Sequence, residues 1–251
     1  MRREHPVGWW TALVLSGLAV LASPAAGADA PLAEAVKQRD ADAVSALLDQ
    51  GADVNAAQAD GATALHWAAL GDDAEMADLL IRGGALVDAT DHYDVTPLSL
   101  ACTNASPVMV EKLLEAGANP NAAQATGETV LMTCARGGIV AAVTALLARG
   151  ADTNATEASR SQTALMWAAA ERHASVVPAL VAGGADVDGR SDAGFTPLMF
   201  AARLGHIDTV DALLDAGADI HQTLPDGTSP LVVAVINAHY DLAVRLLERG
   251  A

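Results

Sequence analysis

The sequence predicts an all-α fold: a solenoid of short helix–turn–helix units stacked in a row and joined by β-turn fingers. Three observations carry that expectation. A glycine recurs at Gly51, Gly84, Gly117, Gly150, Gly184, Gly217 and Gly250, at intervals of 33, 33, 33, 34, 33 and 33 residues, and self-similarity at such a period marks a stacked array. Between these glycines a second signal repeats, an N-capping Thr followed by an apolar run, as at Thr63, Thr96, Thr163 and Thr196. The composition is 52% apolar but only 3% aromatic, with much of the apolar share alanine, which suits helices packed closely through small residues. Length alone would suggest one or two domains. The repeats argue instead for one elongated domain held by contacts between neighbours.

The unit from Asp192 to His221 shows how each copy is built. Asp192 to Gly194 supply a tight turn. Thr196 is a good N-cap and Pro197 suits the first helical position, where its missing N–H has no partner to lose. Leu198, Ala201 and Ala202 mark a buried stripe, and Gly205 ends the first helix. Val210, Leu213 and Leu214 face inward from a second helix, which Gly217 closes as a left-handed cap. One such pair cannot bury its own apolar face, so the chain repeats it.

The chain begins differently. Arg2 and Arg3 precede an apolar run from Trp9 to Leu21, and Ala26-Gly27-Ala28 offers a small-x-small cleavage site, the pattern of a secretory signal peptide over residues 1–28. The run is shorter than the roughly 20 residues of a spanning helix. An uncleaved anchor or a lipidated start is the alternative, though no Cys stands nearby to carry a lipid. The expected location is therefore outside the cytoplasm, periplasmic or extracellular.

Residues 29–57 form the first unit, beginning at Pro31 with no preceding turn. Lys37, Gln38, Arg39, Asp40 and Asp42 make its free side polar, as an end cap should be. Units 58–92 and 93–125 are regular, and Ser106-Pro107 starts a helix in the latter. Unit 126–158 has Val130 where Pro is usual. Unit 159–191 departs twice: the connection Ala155–Gln162 is one residue longer and lacks the turn glycine, predicting a protruding, more mobile finger, and Pro178 falls where a kink is expected. Unit 192–224 is the one described above. Unit 225–251 would expose Val244, Leu246 or Leu247, so further repeats or another domain are expected beyond Ala251.

These units resemble ankyrin repeats. The residues that carry the resemblance are Thr63-Ala64-Leu65-His66-Trp67-Ala68-Ala69, Thr96-Pro97-Leu98, Thr163-Ala164-Leu165 and Thr196-Pro197-Leu198, with Gly51-Ala52-Asp53-Val54-Asn55-Ala56 and Gly184-Ala185-Asp186-Val187-Asp188 in the second half. With the leader, they suggest an exported, bacterial-type member. The resemblance implies first helices lining a concave side, a His66 that ties neighbouring turns by hydrogen bonds, and a role in binding protein. It implies no catalysis and no cofactor.

Function is constrained by charge and by pattern. The net charge is −17, which repels phosphate backbones and anionic membranes and favours a protein partner with a basic patch. A monomer with no membrane span after cleavage is expected. Gly-x-Ser-x-Gly, His-Glu-x-x-His, Cys-x-x-Cys and the glycine-rich phosphate loops are absent from the repeat region. His173, His206 and His239 recur at equivalent turns, which points to turn chemistry rather than a converging metal site. Asp88, Asp91 and Asp94 lack the glycine and terminal Glu of a calcium loop.

Two residues after each recurrent leucine of the first helix stand Trp67, Leu100, Thr133, Trp167, Phe200 and Val233. They read either as groove-lining anchors, since tryptophan is enriched in binding hot spots, or as semi-buried packing. The turn tips, including Gln58, Tyr93, Asp94, Arg160 and Arg190, vary from copy to copy and form the candidate rim. Cys102 and Cys134 sit in the first helices of consecutive repeats. Helix axes about 8–10 Å apart exceed the roughly 5.5–6 Å between Cα atoms that a bridge wants, so free buried thiols are expected. The alternative for the whole chain is the recruiting arm of a larger exported enzyme with its catalytic domain beyond residue 251.

Overall fold

The computed structural model describes residues 30–251; the expected leader and Asp29 lie outside the described residues. Helices come in antiparallel pairs: α1 (Pro31–Lys37) with α2 (Ala41–Asp49), α3 (Ala64–Leu70) with α4 (Ala74–Arg82), α5 (Pro97–Thr103) with α6 (Pro107–Glu115), and α7 (Val130–Arg136) with α8 (Val140–Ala148). They continue as α9 (Ala164–Ala170) with α10 (Val177–Ala182), α11 (Pro197–Leu204) with α12 (Ile207–Asp215), and α13 (Pro230–Ile236) with α14 (Tyr240–Glu248). Among the described residues there is no strand, only one isolated bridge between Ala123 and Thr129.

Two turns of helix do not persist alone in water, so caps and stacking must hold them. Thr96, Thr129, Thr163, Thr196 and Ser229 each accept, through the side-chain oxygen, the backbone N–H three residues on. First helices stack on first helices and second helices on second, giving two layers. Leu65, Leu98, Leu131, Leu165 and Leu198 are buried through the first layer, and Leu80, Leu113, Leu146, Leu180, Leu213 and Leu246 through the second. Burying each such leucine contributes about 1.5–3 kcal/mol. In the last unit Leu246 is buried while Val244 and Leu247 are exposed.

The connections form a second spine. Asn121 donates to the Gly150 carbonyl at 3.1 Å and accepts the Asp152 N–H at 2.7 Å. Asn55 and Asn154 repeat this bridge into the next unit, and Asp88 and Asp188 keep its accepting half. Finger backbones also join at their tips, as where His92 N–H meets Asp60 O at 3.0 Å and Asp192 N–H meets Arg160 O at 3.0 Å.

The cysteines overturn the sequence expectation. Cys102 and Cys134 are disulfide-bonded, with Sγ–Sγ 2.02 Å and Cα–Cα 4.7 Å, joining α5 to α7. An axis-to-axis distance is not the distance between facing residues. Each Cα lies about 2.3 Å off its axis, so axes about 8–10 Å apart bring facing Cα atoms to about 3.4–5.4 Å, within reach of a bridge. Ala101 and Ala135, both fully buried beside the cysteines, leave room for that approach.

The fifth unit behaves as predicted in one respect and not in another. Pro178 does break its second helix, which starts as a 3-10 turn (Ala174–Val176) before α10. The longer finger, however, is tied down rather than loose. Glu157 is buried and accepts the N–H groups of Ser159, Arg160 and Gln162 and the Ser159 hydroxyl. Ser161 takes the left-handed conformation, φ 54°, that glycine supplies elsewhere.

Candidate protein-binding face

The stripe read from the sequence does fall along the first-helix side, but its members differ in depth. Trp67, Leu100 and Trp167 are half-buried. Phe200 and Val233 are 6% and 5% exposed, and Thr133 is buried, so at these three positions packing takes most of the side chain. The two tryptophans pack against the core at their inner edge and present the remainder outward.

Each aromatic of the stripe carries a cation that the sequence reading missed. The Lys37 Nζ lies 4.0 Å from the Trp67 ring centre and the Arg136 guanidinium 4.8 Å from that of Trp167. The Arg203 guanidinium sits 5.3 Å from both Phe195 and Phe200, whose own ring centres are 5.5 Å apart. Such contacts contribute about 0.5–1 kcal/mol each at exposed sites. A signal was available: Lys37, Arg136 and Arg203 occupy the same place in their repeats, the end of the first helix. Trp67 Nε1–H is satisfied by Gln58 Oε1 at 2.8 Å. Trp167 Nε1–H is buried and meets no acceptor among the described residues.

The rim is partly structural. Tyr93 projects with 71% of its surface exposed, and Asp94 beside it holds a left-handed φ of 59°. Arg160 is exposed. Arg190, by contrast, donates to the Gly194 and Thr223 carbonyls at 3.0 Å and to Gln222, lacing two fingers together. Glu128 accepts the Thr133 hydroxyl at 2.9 Å and pairs with Arg136 at 3.1 Å. The structure thus groups Trp167, Arg136 and Glu128 in one cluster and leaves Tyr93 and Asp94 apart from it.

His66 bridges turns. The Thr63 N–H donates to its Nδ1 at 3.1 Å, which leaves the proton on Nε2, 3.0 Å from the Val95 carbonyl of the next finger. Burial holds its pKa below the ordinary 6.5, against the raising influence of the Val95 carbonyl and of Asp91 and Asp60. Burial also raises the pKa of Glu157, but the bonds from Ser159, Gln162 and Arg160 outweigh it and hold that carboxyl below 4.5. Both groups organise fingers. His206 and His239 instead tie the turns between the two helices of a pair to the preceding repeat, reaching the Ala169 and Arg203 carbonyls at 3.2 and 3.0 Å.

No three His, Cys, Asp or Glu side chains among the described residues are grouped so as to hold a metal ion. No described helix is long and apolar enough to cross a membrane.

Comparison with known proteins fits this architecture. A family profile described as ankyrin repeats (3 copies) matches residues 32–124, 87–157, 109–191, 131–224 and 190–251. No curated protein matches the chain. Among solved structures, the ankyrin repeat domain of Bcl-3, described as a member of the IkappaB protein family, is 28% identical with a TM-score of 0.75, over 87% of this chain and 99% of that one. The human ASB11 ankyrin repeat domain is also 28% identical, with a TM-score of 0.77, over 89% of this chain and 99% of that one. Such repeats are generally non-catalytic modules for binding protein. From its capped helix pairs to its bridged fingers, the chain belongs to the ankyrin-repeat family.

Proposed function

We propose that this solenoid holds a partner protein along its first-helix side, with Trp67 and Trp167 as anchors and the finger tips setting specificity. The observation that carries the reading is the pair of half-buried tryptophans, each under a cation, in a chain with only eight aromatic residues. A large ring fixed from behind and open in front loses little conformational freedom on binding, which is what a hot-spot anchor needs.

Charge on the other side has a separate role. Carboxylates on the second helices, such as Asp42, Glu75, Asp78, Glu111, Asp208 and Asp241, favour a basic surface on the partner and speed encounter at low salt. The Cys102–Cys134 bond supports an oxidising compartment as the place of work, since such bonds are rare where cytosolic reductants act; this agrees with export by the expected leader. The working form in this reading is a monomer.

Cross-linked capture from the extracytoplasmic fraction, followed by titration of the captured protein, tests it. Trp67→Ala with Trp167→Ala weakens binding at least tenfold, while Arg82→Gln on the second-helix side leaves the complex bound within twofold. Equal affinity for the double variant and the parent defeats the proposal.

A further inference from the structure

The molecule holds 31 carboxylates against 14 Lys and Arg, yet only some of its described cations meet one. Lys112 meets Asp78, Arg136 meets Glu128, Arg172 meets Asp208, and Arg245 and Arg249 share Asp211. Arg39, Arg149 and Arg190 are engaged by backbone carbonyls. Lys37 lies on the Trp67 ring, and Arg82, though unpaired among the described residues, shares its surroundings with Asp73, Glu75 and Asp78. Arg160 and Arg203 likewise have, among the described residues, neither a carboxylate in ion-pair range nor a hydrogen-bond acceptor for the guanidinium. Both line one cleft of about 350 Å³ between the fifth and sixth fingers and α11.

The floor of that cleft is aromatic. Phe195 and Phe200 hold the Arg203 guanidinium through its charge, and leave its five N–H donors, a fork that matches a carboxylate, without an acceptor. Ser159 adds a hydroxyl at the edge, already turned toward Glu157. Asp192 is the single carboxylate on the lining, and it opposes an anionic occupant.

We propose that this cleft docks an acidic segment of the partner, with an Asp or Glu carboxylate between Arg160 and Arg203 and an adjacent aromatic side chain on Phe195. The proposal rests on the reading that the first-helix side binds protein. Local charge complementarity carries it: two guanidiniums without acceptors share this lining with a single carboxylate, Asp192. The net charge opposes an acidic ligand only at long range, because screening at physiological salt sets in at about 8 Å.

The probe is a capped peptide, Ac-Glu-Phe-Glu-NH₂, followed by the arginine Nε–H resonances at 0.15 M salt, on the order of physiological ionic strength. The Glu peptide moves the Arg160 and Arg203 signals and binds at least tenfold more tightly than Ac-Gln-Phe-Gln-NH₂. Arg203→Gln and Arg160→Gln each abolish the response while the far-ultraviolet circular dichroism stays that of the parent, so the fold is retained. Arg82→Gln, on the second-helix side, preserves it, and Asp192→Asn strengthens it. Equal binding of the two peptides, or the same shifts from inorganic phosphate alone, overturns the inference. The tryptophan capture experiment is indifferent to that outcome, so failure of the cleft and failure of the binding face are told apart.

Discussion

Removing the Cys102–Cys134 bond is expected to lower stability by about 3–4 kcal/mol. The bond closes a segment of 32 residues, and the chain-entropy relation for a loop of that length gives about 12 cal/mol/K of lost denatured-state entropy, or about 3.7 kcal/mol near room temperature. Both cysteines are buried, so the native protein must open before a reductant reaches them. The assay is therefore urea unfolding of oxidised protein against protein unfolded, reduced and refolded in excess thiol. Reduction leaves the folded contacts nearly intact, which makes it a cleaner perturbation than substitution. In a repeat array the effect concentrates where the bond lies, so a probe at Trp67 or Trp167, on either side of the stapled pair, reports a lower midpoint. Identical urea midpoints for the two forms would refute the argument, as would two alkylatable thiols in protein recovered from an oxidising compartment.

Three further outcomes follow from the fingers. His66 is held neutral in the folded state, with its pKa below the ordinary 6.5, so its contribution is complete above that pH and is lost as pH falls through the depressed value. A urea midpoint that declines below pH 6.5, and declines less in His66→Gln, bears this out; parallel profiles do not. Glu157→Gln turns an amide donor toward donors at Ser159, costing on the order of 2 kcal/mol for the charge-assisted bonds lost. Because the folded pKa of Glu157 lies below 4.5, the variant also flattens the acid limb of stability below that pH. Gly138→Ala is predicted to be more damaging than Gly217→Ala. Both glycines have positive φ, but a Cβ at Gly138 would stand 2.4 Å from the His173 ring whereas at Gly217 it meets nothing within 4 Å. Thermal midpoints of the two variants decide it, equal losses counting against the contact.

The fold was legible because its instructions are local and repeated. Thr196, Pro197 and Gly217 each act on their own few residues, and seven copies in phase leave one architecture that satisfies all of them. What escaped the sequence reading lies between copies. The cysteine pairing depends on the distance between facing Cα atoms in a stack packed through alanine, a quantity set by neighbours rather than by either helix. Glu157 is the exception, a local device with no motif of its own: by accepting from Ser159, Arg160 and Gln162 it supplies the order that a turn glycine would otherwise give. The aromatic stripe was visible at its period, while burial depth separated Trp67 and Trp167 from Phe200 only once the adjacent first helices were in place.

The same relation between copies explains how an acidic chain can carry basic sites. Position along the repeat decides which face a charge occupies. The seventh place of the first helix, held by Lys37, Arg136 and Arg203, abuts the aromatic of its own or the next unit, where the ring face welcomes a cation and would repel a carboxylate. Among the described second helices the one exposed ring is Tyr240 at the start of α14, and there Asp and Glu pair across repeats with Lys112, Arg245 and Arg249 or stand in water. Net charge therefore resides on the second helices and the fingers, while Glu34 is the one carboxylate within a first helix among the described residues. A partner that reads this protein meets two different electrostatic faces on one solenoid.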